Sequence, residues 1–316
     1  MKLTHEHRDY RGHLAMLSAN VIFGLFSPVS KDLLASGVMS SYALTLFRMF
    51  GAAAIFWIAS AFLPREHVKP RDMGLLFFAS LFGILMNQGF FIAGLSMTSP
   101  IDASVVTTTV PIITMILAAF VLQEPITGKK VSGIFIGAFG ALMLIMNSRG
   151  DTTGGGNHFL GDLVCLLGEL SFAIYLVVFK KLVSRYSAVT VMKWMFVYAS
   201  ICSVPFCYND VTRIDYSRFT PETYAQLAYI VVFATFVAYL LIPIGQQRLR
   251  PTVVSMYTYV QPIIASLVAV AVGQDHFGWP KAIAALLVFV GVYVVTSSKS
   301  KAQMDAEARA RLPRRS

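Results

Sequence analysis

Charged residues along this chain are separated by long uncharged intervals that are rich in apolar side chains. For example, 29 uncharged residues lie between Asp72 and Asp102, and 25 lie between Glu222 and Arg248. A bilayer core is about 30 Å thick and a helix rises about 1.5 Å per residue, so about 20 such residues span it. The pattern predicts ten transmembrane helices, at 13–34, 41–63, 73–97, 102–123, 129–147, 160–181, 188–208, 223–246, 252–273 and 279–297.

The composition supports a membrane protein over a soluble one. Of 316 residues, 56% are apolar and 13% are charged, whereas soluble domains have about 25% charged residues. A bundle of buried soluble helices would need polar outer surfaces that this chain does not supply. The prediction is therefore an all-α integral membrane protein.

Basic residues are distributed unequally between the two sides of the predicted membrane. If both termini are cytoplasmic, nineteen Lys and Arg residues lie in cytoplasmic segments and five lie on the opposite side. This asymmetry is the positive-inside pattern, and it predicts cytoplasmic N and C termini. It also explains the net charge of +10 without a nucleic-acid partner. The basic tail at 298–316 is expected to meet anionic lipid headgroups.

No cleavable signal peptide is expected, because the first apolar run continues to about Leu34 and reads as a retained span. All three cysteines lie in predicted spans, without metal-ligand spacing, and are expected to pack as small apolar side chains. The Gly-rich segment 148–159 is the predicted linker between two halves of the chain.

The two halves resemble each other in sequence. Shifted by 151 residues, 103–124 matches 254–275 at eight of 22 positions, and Pro111 falls on Pro262. A shift of 149 aligns 12–31 with 161–180. Since each half has five spans, the second must insert with inverted topology, as in many secondary transporters. The predicted organisation is an N-terminal tail (1–12), a first repeat (13–147), the linker, a second repeat (160–297) and the C-terminal tail.

Several local sequences resemble those of one known family. They are the Asn20-Val-Ile-Phe-Gly24 stretch, Arg48 in span two, the Glu124-Pro-Ile-Thr127 ending of span four, and Gly133, Gly137 and Gly140 in span five. With the 5+5 order, the chain resembles EamA-type members of the drug/metabolite transporter superfamily over about 12–297. The resemblance implies a bacterial inner-membrane carrier or exporter of small metabolites, often amino acids. It is weaker at Asp275-His276-Phe277, where the family more often has Glu, and at Lys193.

Glu169 is one of three isolated charges inside predicted spans, about ten residues into span six. A charged acid at that depth costs roughly 3 kcal/mol on insertion scales, so it is protonated, paired or facing a wet cavity. Its repeat counterpart is Asn20. One interpretation makes Glu169 a site for a substrate amine or a coupling proton; the other makes it a structural hydrogen bond to a neighbouring helix.

Arg48 and Lys193 are the other two isolated charges. Arg48 is a candidate for binding a substrate carboxylate or for pairing with an acid such as Glu169, because a guanidinium binds carboxylates in a bidentate manner. Alternatively, Arg48 is a packing anchor or extends toward the outer interface. Lys193 lies close to the cytoplasmic end of span seven and is expected to extend toward that interface.

Amides and hydroxyls supply the remaining polar candidates. Asn87 and Gln88 differ by about 100° on one helix, so only one is expected to face the cavity, and Asn87 shares its face with small residues. Either amide can instead join two helices. The candidate substrate-binding residues are Asn20, Arg48, Asn87, Thr108, Glu169, Tyr239, Tyr257 and Tyr259, with Glu169 also the candidate for proton coupling.

Prolines within the predicted spans are candidate hinges. Pro111 and Pro262 match in the repeat, and each frees a backbone carbonyl one turn earlier. The candidate hinges are Pro28, Pro111 and Pro262, and fixed bends are the alternative. The glycines of span five and Gly291 of span ten are expected to let these two helices pack closely as a scaffold.

These features favour a transporter over an enzyme or a channel. All six histidines lie at termini, loops or span ends, away from the depth at which a membrane catalytic site would lie. Charge rings and a GxxxxGK[ST] motif are also absent. We expect no enzymatic activity and no cofactor or metal. The predicted function is secondary transport of a small molecule by alternating access, most specifically amino-acid export. Export of cationic amphiphiles is an alternative, as is a membrane enzyme, channel or sensor subunit; the sequence leaves the oligomeric state open.

Overall fold

The computed structural model describes residues 10–97, 103, 106–147, 158–271, 278–299 and 304, and helices are the only extended regular structure in these ranges. The predicted linker and both predicted tails lie largely outside them. The longer helices of the described residues, in chain order, are α1 (Tyr10–Ala35), α2 (Ser41–Ala61), α3 (Pro70–Met97), α4 (Val110–Val121), α5 (Gly128–Asn147), α6 (His158–Val178), α7 (Ala188–Thr212), α8 (Pro221–Arg248), α9 (Pro251–Ala271) and α10 (Trp279–Thr296). Short helical segments also lie at Lys180–Val183 and Tyr216–Arg218.

Six of these helices are long and apolar enough to cross a bilayer. They are α1, α2, α3, α6, α7 and α8, and each contains an apolar window of eighteen residues. Within the described residues, α4 and residues 282–296 of α10 are apolar but shorter. Large apolar side chains such as Phe62 and Phe120, both more than 80% exposed, cover the outside of the bundle. The chain is therefore a multi-pass membrane protein whose described residues are helical apart from turns and loops, as the sequence predicts, while the count of ten spans stays a prediction.

Three helices change their geometry part-way along. Helix α3 consists of Pro70–Ser80, a π-helical stretch Leu81–Met86 and Asn87–Met97. Helix α8 has the same arrangement around the π-helical stretch Tyr229–Val237. Helix α9 contains a 3₁₀ turn at Tyr257–Tyr259. Because π-helical and 3₁₀ turns shift the direction of the side chains that follow, such turns are common at functional sites.

The helices pack as antiparallel pairs. Helix α1 lies against α8, α2 against α7, α3 against α6, and α5 against α10. Aromatic side chains fill the centre of the α2–α7 pair, where the ring centroids of Phe56 and Phe196 are 5.4 Å apart.

Helices α5 and α10 approach each other closely at glycine positions. A Cβ atom added to Gly291 would lie 2.6 Å from the carbonyl oxygen of Gly133, so this position requires glycine. Gly140 is similarly close to the backbone of Ala284. The small residues thus allow the close packing that the sequence predicts for these two helices.

Candidate functional site

A cavity lies among α1, α2, α3, α6, α8 and α9. It has a volume of about 110 Å³, and a water molecule needs about 10–15 Å³ of such space. The lining combines aromatic side chains with a small number of polar ones, which is typical of small-molecule sites. The residues that line it are Phe23, Phe26, Arg48, Asn87, Gln88, Phe91, Thr107, Glu169, Phe172, Tyr239, Ile242, Thr258 and Gln261.

Glu169 reaches this cavity from the middle of α6. Its side chain is 7% exposed and makes no hydrogen bond to any residue that the structure describes. The structural alternative, in which Glu169 hydrogen-bonds a neighbouring helix, is therefore not the arrangement found. An almost buried carboxyl group beside a cavity is suited to meet a ligand cation or to hold a proton.

Asn20 lies behind the cavity wall rather than in it. Its side-chain amide donates to the carbonyl oxygen of Met16 at 2.8 Å, and its Oδ1 accepts a hydrogen bond from Gln261 Nε2 at 2.8 Å. Gln261 lines the cavity. Asn20 therefore orients a lining residue from α1 and joins α1 to α9.

Arg48 is completely buried and lines the cavity from α2. Its Nε donates to Thr235 Oγ1 at 2.9 Å, and its guanidinium carbon lies 4.3 Å from the centroid of the Phe26 ring. The side chain does not extend toward an interface, because none of it is exposed. It is not ion-paired with Glu169 either. Tyr239, from α8, lines the same cavity as Arg48 and Glu169.

Both amides of α3 border the cavity, where the sequence favours Asn87 alone. The Asn87 side-chain amide also donates to the carbonyl oxygen of Gly168 at 3.1 Å, so it joins α3 to α6. Gln88 is 8% exposed and lines the same cavity. The two side chains are long enough to reach it from positions about 100° apart.

Two of the three predicted tyrosines lie outside the cavity lining. The Tyr257 hydroxyl is 2.7 Å from His13 Nδ1, at the beginning of α1. Tyr259 is fully buried, and its hydroxyl donates to the carbonyl oxygens of Thr108 and Ile134 at 3.2 and 3.4 Å. Both rings therefore hold α9 against its neighbours. Tyr239 is the predicted tyrosine that lines the cavity.

The threonine that lines the cavity is one residue before the predicted one. Thr107 lines the cavity, whereas Thr108 is buried and its carbonyl oxygen accepts from Tyr259. The backbone turns between Thr107 and Val110, where Thr109 N donates to the carbonyl oxygen of Val106 at 3.0 Å. This turn changes the side-chain directions that a continuous helix would give.

Two of the three candidate hinge prolines lie at helical irregularities. Pro111 is the second residue of α4, and Pro262 follows the 3₁₀ turn of α9 by three residues. Pro28 lies inside α1, which continues through it. Motion at these positions stays a prediction.

Several lining residues carry weak sequence signals. Phe26, Phe172 and Ile242 look like ordinary apolar span residues, and only packing turns them inward. Thr235, which contacts Arg48 from outside the cavity lining, has a better signal, because it is a lone hydroxyl in the apolar run from Ile230 to Val237.

A hydrogen-bonded surface, here called the basic face, lies away from the cavity and comprises residues 64–72, 124–130, 180–187 and 246–252. Lys180 Nζ donates to the carbonyl oxygens of Gln246 and Leu249, the latter at 2.8 Å. The Gln247 amide donates to the carbonyl oxygens of Val183 and Tyr186 at 2.9 Å. These bonds fasten the end of α8 to the segment after α6.

Two ion pairs complete the basic face. Arg185 Nη1 is 3.0 Å from Asp72 Oδ1. Lys130 Nζ is 2.5 Å from Glu124 Oε2, which also accepts from Thr252 Oγ1 at 3.2 Å. Lys193 lies nearby, with its Nζ 4.9 Å from the Trp57 ring centroid. The contacts join segments from both halves of the chain on one side of the cavity.

Comparison with known proteins gives one consistent group. The model described as "EamA-like transporter family" matches residues 10–146 and 159–297. The uncharacterized transporter YetK of Bacillus subtilis is 22% identical over 231 residues, covering 73% of this chain and 70% of that protein. Protein WALLS ARE THIN 1 of Arabidopsis thaliana is 24% identical over 331 residues, covering 92% of this chain and 83% of that protein. A solved crystal structure matches with a TM-score of 0.74 at 17% identity, over 90% of this chain and 98% of that chain, which shows a shared fold.

Proposed function

The chain belongs to the EamA-like transporter family, and on this basis we propose that it is a secondary carrier of a small metabolite. The most specific form of the proposal is amino-acid export across a bacterial inner membrane by alternating access. In this mechanism the cavity opens to one side of the membrane at a time, because the two halves of the chain rock against each other.

One observation carries the substrate proposal. Arg48 and Glu169 are both buried and line the same cavity, and their ionised forms carry opposite charges. An amino acid has a carboxylate and an ammonium group, so it can satisfy both side chains at once. The aromatic lining offers an apolar surface to its side chain.

The pairing of helices supports an inverted repeat. In an inverted repeat, helices α1–α5 correspond in order to α6–α10. The α1–α8 pair then corresponds to the α6–α3 pair, and the α2–α7 and α5–α10 pairs each correspond to themselves. The π-helical stretches at Leu81–Met86 and Tyr229–Val237 are also in corresponding helices. A twofold axis in the membrane plane would produce both regularities and would put the cavity near the midplane.

The charge distribution supports cytoplasmic N and C termini. The basic face lies where α1 begins and α8 ends, so it would face the cytoplasm together with the basic C-terminal tail. Anionic lipid headgroups are the proposed partners of that tail. Proton coupling through Glu169 is the proposed energy source for export.

Export of cationic amphiphiles is the second candidate. It is favoured by one observation, the combination of Glu169 with the aromatic rings of Phe23, Phe91 and Phe172 around the cavity. A cation can bind over aromatic faces and next to a carboxylate. Such a substrate would leave Arg48 without a partner, and so we prefer the amino acid.

Counterflow in proteoliposomes tests the proposal. Purified full-length protein is reconstituted with a mixed panel of amino acids and amphiphilic amines inside the vesicles, and exchange is read by mass spectrometry. We expect saturable exchange of a subset of the amino acids. Exchange confined to amines would support the second candidate, and no exchange by protein that is demonstrably folded would contradict carrier function.

A further inference from the structure

The guanidinium of Arg48 is held in one orientation by contacts from two other helices. Its Nε donates to Thr235 of α8 at 2.9 Å, and its guanidinium carbon lies 4.3 Å from the ring centroid of Phe26 of α1. Arg48 is 0% exposed. These contacts use one of the three guanidinium nitrogens for a hydrogen bond, and they leave Nη1 and Nη2.

Thr235 is positioned by the wide turns of α8. Its hydroxyl donates to the carbonyl oxygen of Ile230, five residues earlier, at 2.8 Å, within the π-helical stretch Tyr229–Val237. Since the hydroxyl proton is already used, the oxygen accepts from Arg48. The π-helical geometry therefore fixes the position of the Thr235 hydroxyl and makes its oxygen the acceptor for Arg48.

The two terminal nitrogens of Arg48 are buried and have no hydrogen-bond partner among the residues that the structure describes. No described carboxylate forms an ion pair with Arg48. A buried charge without a counter-charge or hydrogen bonds is strongly unfavourable. An arginine that lines a cavity in this state is therefore suited to receive an anion from it.

A carboxylate matches the geometry of this edge. The parallel N–H groups of a guanidinium bind the two oxygens of one carboxylate as a bidentate pair. We propose that Arg48, fixed by Thr235, forms the carboxylate-binding subsite of the cavity, and that the aromatic side chains of the lining receive a large apolar side chain of the same substrate. This inference rests on the proposed carrier function and narrows its substrate class to amino acids with large apolar side chains.

The experiment compares amino acids with their amides, which keep the side chain and the amine but lack the carboxylate. The probes are phenylalanine, leucine and methionine and the three corresponding amides. Binding is measured as ligand-induced thermal stabilisation of the purified full-length protein, and exchange is measured by counterflow. For the wild type we expect each acid to bind at least about tenfold more tightly than its amide.

Substitutions of Arg48 should abolish this preference. For Arg48→Gln we expect acid binding to weaken about thirtyfold or more, with amide binding little changed, so that the ratio approaches one. Arg48→Lys should recover part of the preference, because it keeps a charge but loses the bidentate geometry. Thr235→Val should weaken acid binding to an intermediate degree, and it tests the subsite if Arg48→Gln fails to fold.

Thr45→Val is the matched control, because it removes a buried hydroxyl on the same helix whose hydrogen bond stays within α2. This substitution should leave the ratio of acid binding to amide binding unchanged. Equal binding of acid and amide by the wild type, or an unchanged ratio in folded Arg48→Gln, would overturn the subsite while leaving carrier function intact. Acid binding through Arg48 without exchange would support the subsite and contradict the carrier. Absence of acid binding by the wild type would overturn the subsite and the amino-acid proposal together.

Discussion

At the scale of single residues, the cavity is defined by buried polar groups that the protein leaves partly unsatisfied. Glu169 has no hydrogen bond to a described residue, and two Arg48 nitrogens have none. By contrast, Asn20 and Asn87 use their amides to join helices. Residues of the first kind are suited to bind a ligand, and those of the second kind maintain the shape of the site.

Replacement of Glu169 by Gln tests its role at this scale. Glutamine has nearly the same volume but carries no exchangeable carboxyl proton. We expect Glu169→Gln to lower proton-driven export by at least about tenfold and to remove its dependence on an imposed pH gradient. The measurement is substrate flux in proteoliposomes with and without that gradient. Asp162→Asn, on the same helix, is the control, and unchanged flux in Glu169→Gln would exclude Glu169 from coupling.

At the scale of helices, α5 and α10 form a tightly packed scaffold away from the cavity. Their backbones meet at glycine positions, where a methyl group has no room. The α2–α7 pair meets through larger side chains, such as Phe56 against Phe196. Small residues matter most where van der Waals contact is the main attraction between helices in lipid.

Gly291→Ala is predicted to destabilise the protein. The added Cβ would lie 2.6 Å from backbone atoms of Gly133 and Gly137, so α5 and α10 must separate. We expect a loss of about 1–3 kcal/mol, visible as a lower melting temperature in detergent. Gly74→Ala is the matched control, since nothing lies within 4 Å of its added Cβ. Equal melting temperatures for the two variants would contradict the close packing.

The start of α7 gives a pH-dependent prediction. The Glu66 carboxylate accepts from the backbone N–H of Ser187, the N-cap residue, at 2.9 and 3.2 Å. Partial burial opposes its ionisation, but hydrogen bonds from Thr190 and Ser187 outweigh burial and hold the pKa of Glu66 below its usual value. A carboxylate with a depressed pKa stabilises the fold above its unfolded pKa, and this stabilisation is lost as pH falls.

Glu66→Gln should therefore lower the melting temperature at neutral pH. The difference from the wild type should shrink as the pH falls through and below about 4.5, the ordinary value for Glu. Thermal melts over a pH series measure both effects. Glu222→Gln serves as the control for removal of an acidic side chain from the first turn of a helix. A difference that does not change with pH would rule out the carboxylate as the cause.

At the scale of the whole molecule, the basic face is fastened by contacts between the two halves, such as Arg185 with Asp72, and by contacts within the second half. Lys180 binds carbonyl oxygens at the end of α8, where they have no partners within the helix. Cations are also favoured there by the helix dipole. In an alternating-access carrier, any opening of the cavity to this face that separates α8 from α6 would break these contacts.

Lys180→Met should raise the accessibility of the cavity from the basic face. A Gln88→Cys reporter, in a background with its three native cysteines replaced by alanine, is labelled with a membrane-impermeant thiol reagent in inside-out vesicles. We expect labelling to be several times faster with Lys180→Met, because the C-terminal carbonyls of α8 lose their cation. Lys181→Met, at the exposed neighbouring position, should have no effect. Faster labelling in both variants would point to general loosening instead.

Much of the site follows from the sequence because polar residues are conspicuous in apolar spans. Arg48, Asn87, Glu169 and Tyr239 are predicted from sequence and line one cavity. Tyr257 and Tyr259 are also conspicuous in sequence, but they point to neighbouring helices. The helix-turn geometry in α9 decides this difference, and apolar periodicity does not record it.

The sequence by itself determined that the chain is a multi-pass helical membrane protein of a transporter family, because uncharged runs of bilayer length and family motifs are local properties. Only the tertiary structure decided which side chains meet. Arg48 and Thr235 are 187 residues apart, and their hydrogen bond exists because α2 packs beside the π-helical stretch of α8. A contact of that kind depends on the mutual orientation of distant helices, which no local pattern encodes.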